Sequence, residues 1–208
     1  CVLEAMHDAL HQLSAADPAW VQQHVPLDWY TRYGLRADQR RLPKEASKRE
    51  ALARQVGVDG YQLLDSLQTA ESPPYLRDLF ALEALRQIWL PQYYRCTVPG
   101  HEALRWRTSD EQPPSAVRIA SPYDLEARYS RKRETHWVDY KVHLTETCDT
   151  DYPDLIMQVM TTPATTQDSV MGPTIHQDLA QCDLLPSTHL LDSGYVDAEL
   201  LVTSQPEH

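Results

Sequence analysis

Trp137-Val138-Asp139-Tyr140-Lys141-Val142-His143-Leu144 places an apolar or aromatic residue at every second position, at Val138, Tyr140, Val142 and Leu144, with polar residues between. A period of two sends alternate side chains to opposite faces of an extended chain, so the segment predicts a half-buried strand. A second, more fully apolar strand is expected at Leu155, Ile156, Met157, Val159 and Met160, joined to the first by the turn-rich stretch 147–154. Asp168 to Gln181 reads as a helix, Leu184 to Leu191 includes a short third strand ending at Asp192, and Ala198 to Val202 begins another helix. The order is hairpin, helix, strand, helix, an α/β layer.

Working back from that segment, the period changes. Val2, Leu3, Ala5, Met6, Ala9, Leu10 and Leu13 recur at three- and four-residue spacing, the stripe of an amphipathic helix. Asp17-Pro18 offers an N-cap followed by proline at the first helical position. Residues 26–43 are polar and arginine-rich, with Trp29, Tyr30 and Tyr33 interleaved, and read as irregular chain packed by aromatics. Lys44 to Val56 predicts a helix stopped at Gly57, and Asp59 to Ala70 a further short one. After Ser72-Pro73-Pro74, a longer helix turns Leu76, Leu79, Phe80, Leu82, Leu85, Ile88 and Trp89 inward and ends or kinks at Pro91. Pro99, Gly100, Pro113, Pro114 and Pro122 then punctuate polar chain. The expected organisation is a helical region over 1–95, a linker over 96–120 and an α/β region over 121–208.

The chain has 208 residues, 42% apolar and 24% charged, the composition of a globular protein with enough length to bury a core. No run of apolar residues is long enough for a membrane span, and Glu4 and Asp8 stand where an export signal would be basic. No membrane partner is expected, and the chain is placed in the cytoplasm. The formal charge of −11 is unevenly spread: residues 1–141 balance, while 142–208 hold 11 acidic residues and neither Lys nor Arg. Cys1, Cys96, Cys148 and Cys182 form no C-x-x-C pair and read as reduced thiols. The start at Cys1 rather than Met fits either a trimmed chain or a piece of a longer polypeptide.

Several chemistries lose support. His7-Asp8-Ala9-Leu10-His11 has the two-histidine spacing of zinc proteases, but Asp8 is shorter than the glutamate that chemistry uses, leaving two exposed helix histidines. No G-x-S-x-G elbow and no glycine-rich phosphate loop occur. Two features carry more weight. Arg128, Arg131, Lys132, Arg133 and Lys141, interleaved with Tyr129, Trp137 and Tyr140, suit phosphate contact and base stacking, or else form a solvated strand entry over core aromatics. Asp192 comes after Leu190-Leu191 and precedes Ser193-Gly194-Tyr195, the place where open α/β sheets set ligand-binding acids. It serves either as a Mg²⁺ ligand or as the N-cap of the next helix.

The ordered text of these segments is more specific. Ser121-Pro122-Tyr123-Asp124-Leu125-Glu126-Ala127-Arg128-Tyr129-Ser130, Lys132-Arg133 and the run from Tyr140 to Asp149 resemble the middle of a transposase from a bacterial insertion sequence. Thr161-Thr162-Pro163-Ala164-Thr165-Thr166, Ile175-His176, Asp183-Leu184-Leu185-Pro186 and His189-Leu190-Leu191-Asp192-Ser193-Gly194-Tyr195 continue the likeness. Upstream, Arg40-Arg41-Leu42-Pro43, Gly57-Val58-Asp59-Gly60 and Leu85-Arg86-Gln87-Ile88-Trp89 extend it over essentially the whole chain. The family is the Asp-Asp-Glu transposases, whose catalytic domain is ribonuclease-H-like.

The resemblance implies a mostly helical N-terminal region followed by an incomplete ribonuclease-H-like α/β layer. It implies an enzyme that cleaves and transfers DNA strands with two Mg²⁺ ions, Mn²⁺ being an alternative, held by three carboxylates. Asp192 takes the second acidic position. The first catalytic Asp would lie just before Cys1 and the Glu beyond His208, so two of three acids are missing and no catalysis is expected of this chain alone. Asp124, Asp139 and Asp149 do not fill those positions, and Asp139 stands where the family usually has glycine. Arg128, Lys132, Arg133 and Lys141 become candidates for DNA backbone contact. DNA is the expected partner, with a homodimer as a second association. Without its central first strand the layer is expected to be poorly stable. The rival expectation is a non-catalytic helical module that binds a protein partner or a full-length transposase.

Overall fold

The computed structural model describes residues 1–36, 39, 41–98, 101–151 and 153–203. The chain is mixed α and β with small antiparallel sheets, and it divides into two compact units, Cys1–Tyr129 and Ser130–His208.

The first unit begins with α1 (Val2–Ala16), α2 (Pro18–His24) and α3 (Leu27–Tyr33). The α1 stripe buries Ala5, Met6, Ala9 and Leu13 as its period requires. Asp17 separates α1 from α2: its Oδ1 accepts from the Trp20 amide at 2.9 Å, and Pro18 occupies the first turn. That amide, followed by the Tyr75 hydroxyl, holds the Asp17 carboxyl below its ordinary range. The segment expected to be irregular contains α3, because Trp29 and Tyr33 lie four residues apart and both reach the core.

The two helices expected on either side of Gly57 are one, α4 (Ala46–Ser66). Gly57 and Gly60 lie inside it as contact points rather than stops. A Cβ on Gly57 would stand 2.4 Å from the Tyr93 ring, and one on Gly60 would stand 2.1 Å from the Trp89 ring. The close approach lets Trp89 Nε1 donate to the Gly57 carbonyl at 3.1 Å. Trp89 belongs to α5 (Phe80–Gln92), which comes after a 3₁₀ turn over Pro74–Asp78. Leu76, Leu82, Leu85, Ile88 and Trp89 are buried as expected, but Phe80 is 52% exposed. Two residues of helix rotate by about 200°, so Phe80 lies opposite the Leu82 face.

Strands β1 (Tyr93–Val98) and β2 (His101–Trp106) form an antiparallel hairpin, pairing Tyr93 with Trp106 and Cys96 with Ala103. Much of the expected 96–120 linker is therefore structured. Tyr93, Leu104 and Trp106 belong to the unit's hydrophobic core, which outweighs the local proline chemistry. Pro99 and Gly100 lie outside the described residues. The division between units falls after Tyr129, not within 96–120.

In the second unit β3 (Arg128–Lys132), β4 (Thr135–Glu146) and β5 (Ile156–Pro163) form a sheet of order β3-β4-β5, with the unit boundary inside β3. The β4–β5 pairing is antiparallel, with Val142 opposite Thr161 and Leu144 opposite Val159. A 3₁₀ turn at Asp168–Val170 leads to α6 (Met171–Gln181), and a second at Ser193–Tyr195 leads to α7 (Ala198–Thr203). Met171, Ile175 and Leu179 of α6 pack with Met160 and Tyr195.

The strands are where they were expected, but their faces are inverted. Val142, Leu144 and Val159 are each about 60% exposed, while His143 and Gln158 are buried. The buried polar groups find partners, the condition for burying them. His143 bonds to the Tyr195 and Thr162 hydroxyls, and Gln158 donates to Asp178 on α6 at 2.5 Å. The third strand expected within 184–191 does not form. Extended chain becomes a strand only when a neighbour pairs with it, and the sheet of this unit consists of β3, β4 and β5 among the described residues. The segment is irregular, with Leu185 and Leu190 exposed. The strand that a ribonuclease-H-like layer would end with its second acid is thus not formed among the described residues.

Candidate functional site

The second unit contains a groove of about 340 Å³ where β3, β4 and the two 3₁₀ turns meet. Alternation along β4 sends Lys141 and His143 to the same side. Lys141 Nζ donates to the Thr166 carbonyl at 2.6 Å and to Asp168 Oδ1 at 2.9 Å. His143 lies between two hydroxyls, Tyr195 at 2.6 Å from Nδ1 and Thr162 at 3.0 Å from Nε2. Burial, reinforced by the Lys141 charge, lowers the His143 pKa, and the opposing pull of Asp168 is smaller. The neutral imidazole is thus favoured. Burial also raises the Tyr195 pKa, with Asp168 and Asp192 adding to it, so its hydroxyl stays protonated.

Ser130, Arg131, Lys132, Trp137 and Val142 form the rest of the lining. Arg131 and Lys132 are exposed, and Arg131 is braced by Nε donation to the Arg133 carbonyl at 2.8 Å. The groove therefore sets cations and an indole beside a lysine, a histidine and a tyrosine.

The four cations singled out in the sequence separate. Lys132 and Lys141 line the groove, Lys141 already paired with Asp168. Arg133 occupies the β3–β4 turn at φ 56° and is exposed. Arg128 falls in the first unit, where Nε donates to the Ala116 carbonyl at 2.9 Å and Nη1 to that of Leu125 at 2.6 Å. Its guanidinium is committed to main-chain carbonyls. Arg131, part of the basic run but outside the four DNA-contact candidates, and Asp168 also belong to the groove. Arg131 was legible in the basic run; Asp168 had no signal beyond opening a helix.

Asp192 is exposed and caps the Ser193–Tyr195 turn. Its Oδ1 accepts from the Gly194 amide at 3.1 Å and from the Ser193 hydroxyl at 3.2 Å. These bonds, the amide first, with a smaller contribution from Lys132, hold its carboxyl below the ordinary range. Asp192 Oδ1 and Asp168 Oδ2 both lie within 4.0 Å of the space a side chain on Gly194 would fill. Mg²⁺ asks for oxygen ligands of this kind. Asp168, however, is engaged by Lys141, and among the described residues no three His, Cys, Asp or Glu side chains converge. The described residues do not complete a magnesium centre.

Compared with protein-family models, with curated proteins and with solved structures, the chain matches none. No helix among the described residues is long and apolar enough to cross a membrane.

Proposed function

We propose that this chain is an internal part of a DNA transposase of the Asp-Asp-Glu class, with the groove of its second unit contributing to DNA backbone contact. The observation that carries this reading is a convergence. Segments whose text resembles the family, 13 to 52 residues apart, hydrogen-bond to one another around the groove and on α6. His143 joins Tyr195 and Thr162, Lys141 joins Thr166, and His176 Nε2 joins His189 Nδ1 at 2.9 Å.

On this reading Arg131 and Lys132 supply phosphate contacts, Arg133 approaches from the β3–β4 turn and Trp137 offers a stacking face. Asp192 is one of three ligands to Mg²⁺, the remaining two coming from elsewhere in an intact enzyme. Bound Mg²⁺ would polarise a phosphodiester and its attacking hydroxyl. His143 holds the Tyr195 hydroxyl at 2.6 Å and so anchors the Ser193–Tyr195 turn that Asp192 caps.

Fluorescence anisotropy with duplex DNA across a salt series tests the groove. Binding is expected to weaken with salt at a slope of about −0.9 per phosphate neutralised. Arg131→Ala and Lys132→Ala should each reduce that slope by about one. Salt-independent binding, or slopes untouched by both substitutions, would refute the DNA reading. The chain alone is expected not to cut DNA; Mg²⁺-dependent strand cleavage by residues 1–208, abolished in Asp192→Ala, would overturn that part.

A second reading treats the first unit as a protein-binding module. It rests on the core, which extends through α1 to α5 and the hairpin, whereas the second unit buries a small α6 cluster. Cooperative unfolding with protected amides over residues 1–95, without metal, is its expected signature.

A further inference from the structure

The helix histidines set aside in the sequence acquire a geometry in the first unit. His7 and His11 are one turn apart on α1, so their side chains share a face. Their rings lie side by side, 6.3 Å between centroids and 28° between planes. His7 Nδ1 lies 2.8 Å from the carbonyl oxygen of Tyr33. A carbonyl can only accept, so Nδ1 carries the hydrogen. In the neutral ring Nε2 is then the nitrogen with a free lone pair. The bond also satisfies a carbonyl at the C-terminal end of α3, where the helix itself leaves carbonyls without partners.

We propose that His7 and His11 form a two-imidazole chelate for a borderline divalent cation of the Ni²⁺, Cu²⁺ and Zn²⁺ group. A ring whose other nitrogen donates to a carbonyl is the arrangement in which histidines ligate metals, because the bond fixes both tautomer and orientation. Their spacing of one helical turn is that of two-histidine helix sites, and a small rotamer adjustment from the 6.3 Å centroid separation would bring both Nε2 atoms onto one cation. Both rings line the same opening of about 150 Å³, with Ser14 at its edge and Val21, Val25 and Trp29 along its wall.

The chemistry also selects the cation. Asp8 accepts from Gln12 at 3.1 Å, and no third His, Cys, Asp or Glu joins the pair among the described residues. A donor set of neutral nitrogens and water favours cations that prefer imidazole and disfavours Mg²⁺ and Ca²⁺, which want carboxylates. Without an acid beside the metal, the site binds and stabilises; it is not a hydrolytic centre. Metal would fasten α1 where it meets the end of α3.

Isothermal titration calorimetry of the whole chain with NiCl₂ near neutral pH, alongside melts with and without the metal, tests the assignment. One saturable equivalent is expected, with a rise in melting temperature. His7→Asn keeps a donor for the Tyr33 carbonyl but removes the ligating nitrogen, and His11→Ala removes the second ligand at an exposed helix position. Each should weaken binding by about tenfold or more and abolish the metal-dependent rise, with the metal-free melt little changed. His189→Gln, which breaks the other histidine pair, should leave the affinity as it was. Unaltered binding in both His7→Asn and His11→Ala, loss confined to His189→Gln, or no saturable binding below millimolar metal would overturn the proposal.

Discussion

A single methyl group at Gly60 tests how α4 and α5 are packed. In Gly60→Ala the new Cβ would fall 2.1 Å from two carbons of the Trp89 ring, which is fully buried. Restoring an ordinary carbon–carbon contact of about 3.5 Å requires the ring or the helix to move by about 1.4 Å. Overpacking of this kind costs about 1–3 kcal/mol. A displaced ring also lengthens the Trp89–Gly57 hydrogen bond, adding about 1 kcal/mol. Against this, alanine is the better helix former by about 1 kcal/mol. The balance is a loss of about 1–3 kcal/mol, which lowers the melting temperature by roughly 4–12 °C. Tryptophan fluorescence reads this unit well, since Trp20, Trp29, Trp89 and Trp106 all belong to it. Gly194→Ala is the control: there a Cβ meets nothing closer than 3.7 Å. A Gly60→Ala chain that melts at or above the parent temperature would refute the close approach, because propensity alone would then account for it.

Asp59 is 2% exposed and accepts from Arg32, from the Tyr33 hydroxyl at 2.6 Å and from Gln55 at 2.8 Å. Asp59→Ala strands these donors and should cost about 3–5 kcal/mol by chemical denaturation; a loss under about 1 kcal/mol would contradict the network. Burial, then the bond to Asp59, pushes the Tyr33 hydroxyl far above its ordinary pKa, so alkaline titration should find it un-ionised while exposed tyrosines titrate. Burial lowers the pKa of His143 and of His189, the latter also through His176. The unfolded chain therefore binds more protons than the folded one between the lowered values and about 6.5. Stability of the second unit should fall as pH drops through that window, and amide protection factors there, corrected for the intrinsic pH dependence of exchange, that stay constant from about pH 7 to 5 would contradict it. Arg133 holds φ 56°, so Arg133→Gly should raise stability by up to about 1 kcal/mol while weakening DNA binding, which separates the turn's two roles.

The helices and strands were largely legible because each depends on local periodicity. The α1 stripe, the Asp17-Pro18 cap and the positions of β4 and β5 all derive from spacing. The misreadings share a cause: a distant partner overrode a local signal. Gly57 looks like a helix stop until the Tyr93 ring claims the space beside it. Proline-rich chain after residue 96 looks like linker until Leu104 and Trp106 join the core. Residues 184–191 look like a strand, but no neighbour among the described residues pairs with them. Of the site, the turn after Asp192 and the basic run that contains Lys132 were legible, whereas the groove itself, Asp168 and the His143–Tyr195 bond depend on tertiary contact that spacing does not encode. Arg128 looked like its basic neighbours, and only the carbonyls around it separate it from them.

The inverted faces of β4 set where sequence drift is tolerated. In most two-faced strands the aliphatic positions are conserved and the polar ones vary. Here Val142 and Leu144 meet water, so threonine, lysine or isoleucine there changes little within the unit. His143 is tied to Tyr195 and Thr162, and Gln158 to Asp178, so those positions can change only in concert. Among related chains the constrained letters of this strand should be its polar ones, with histidine and tyrosine lost together or not at all.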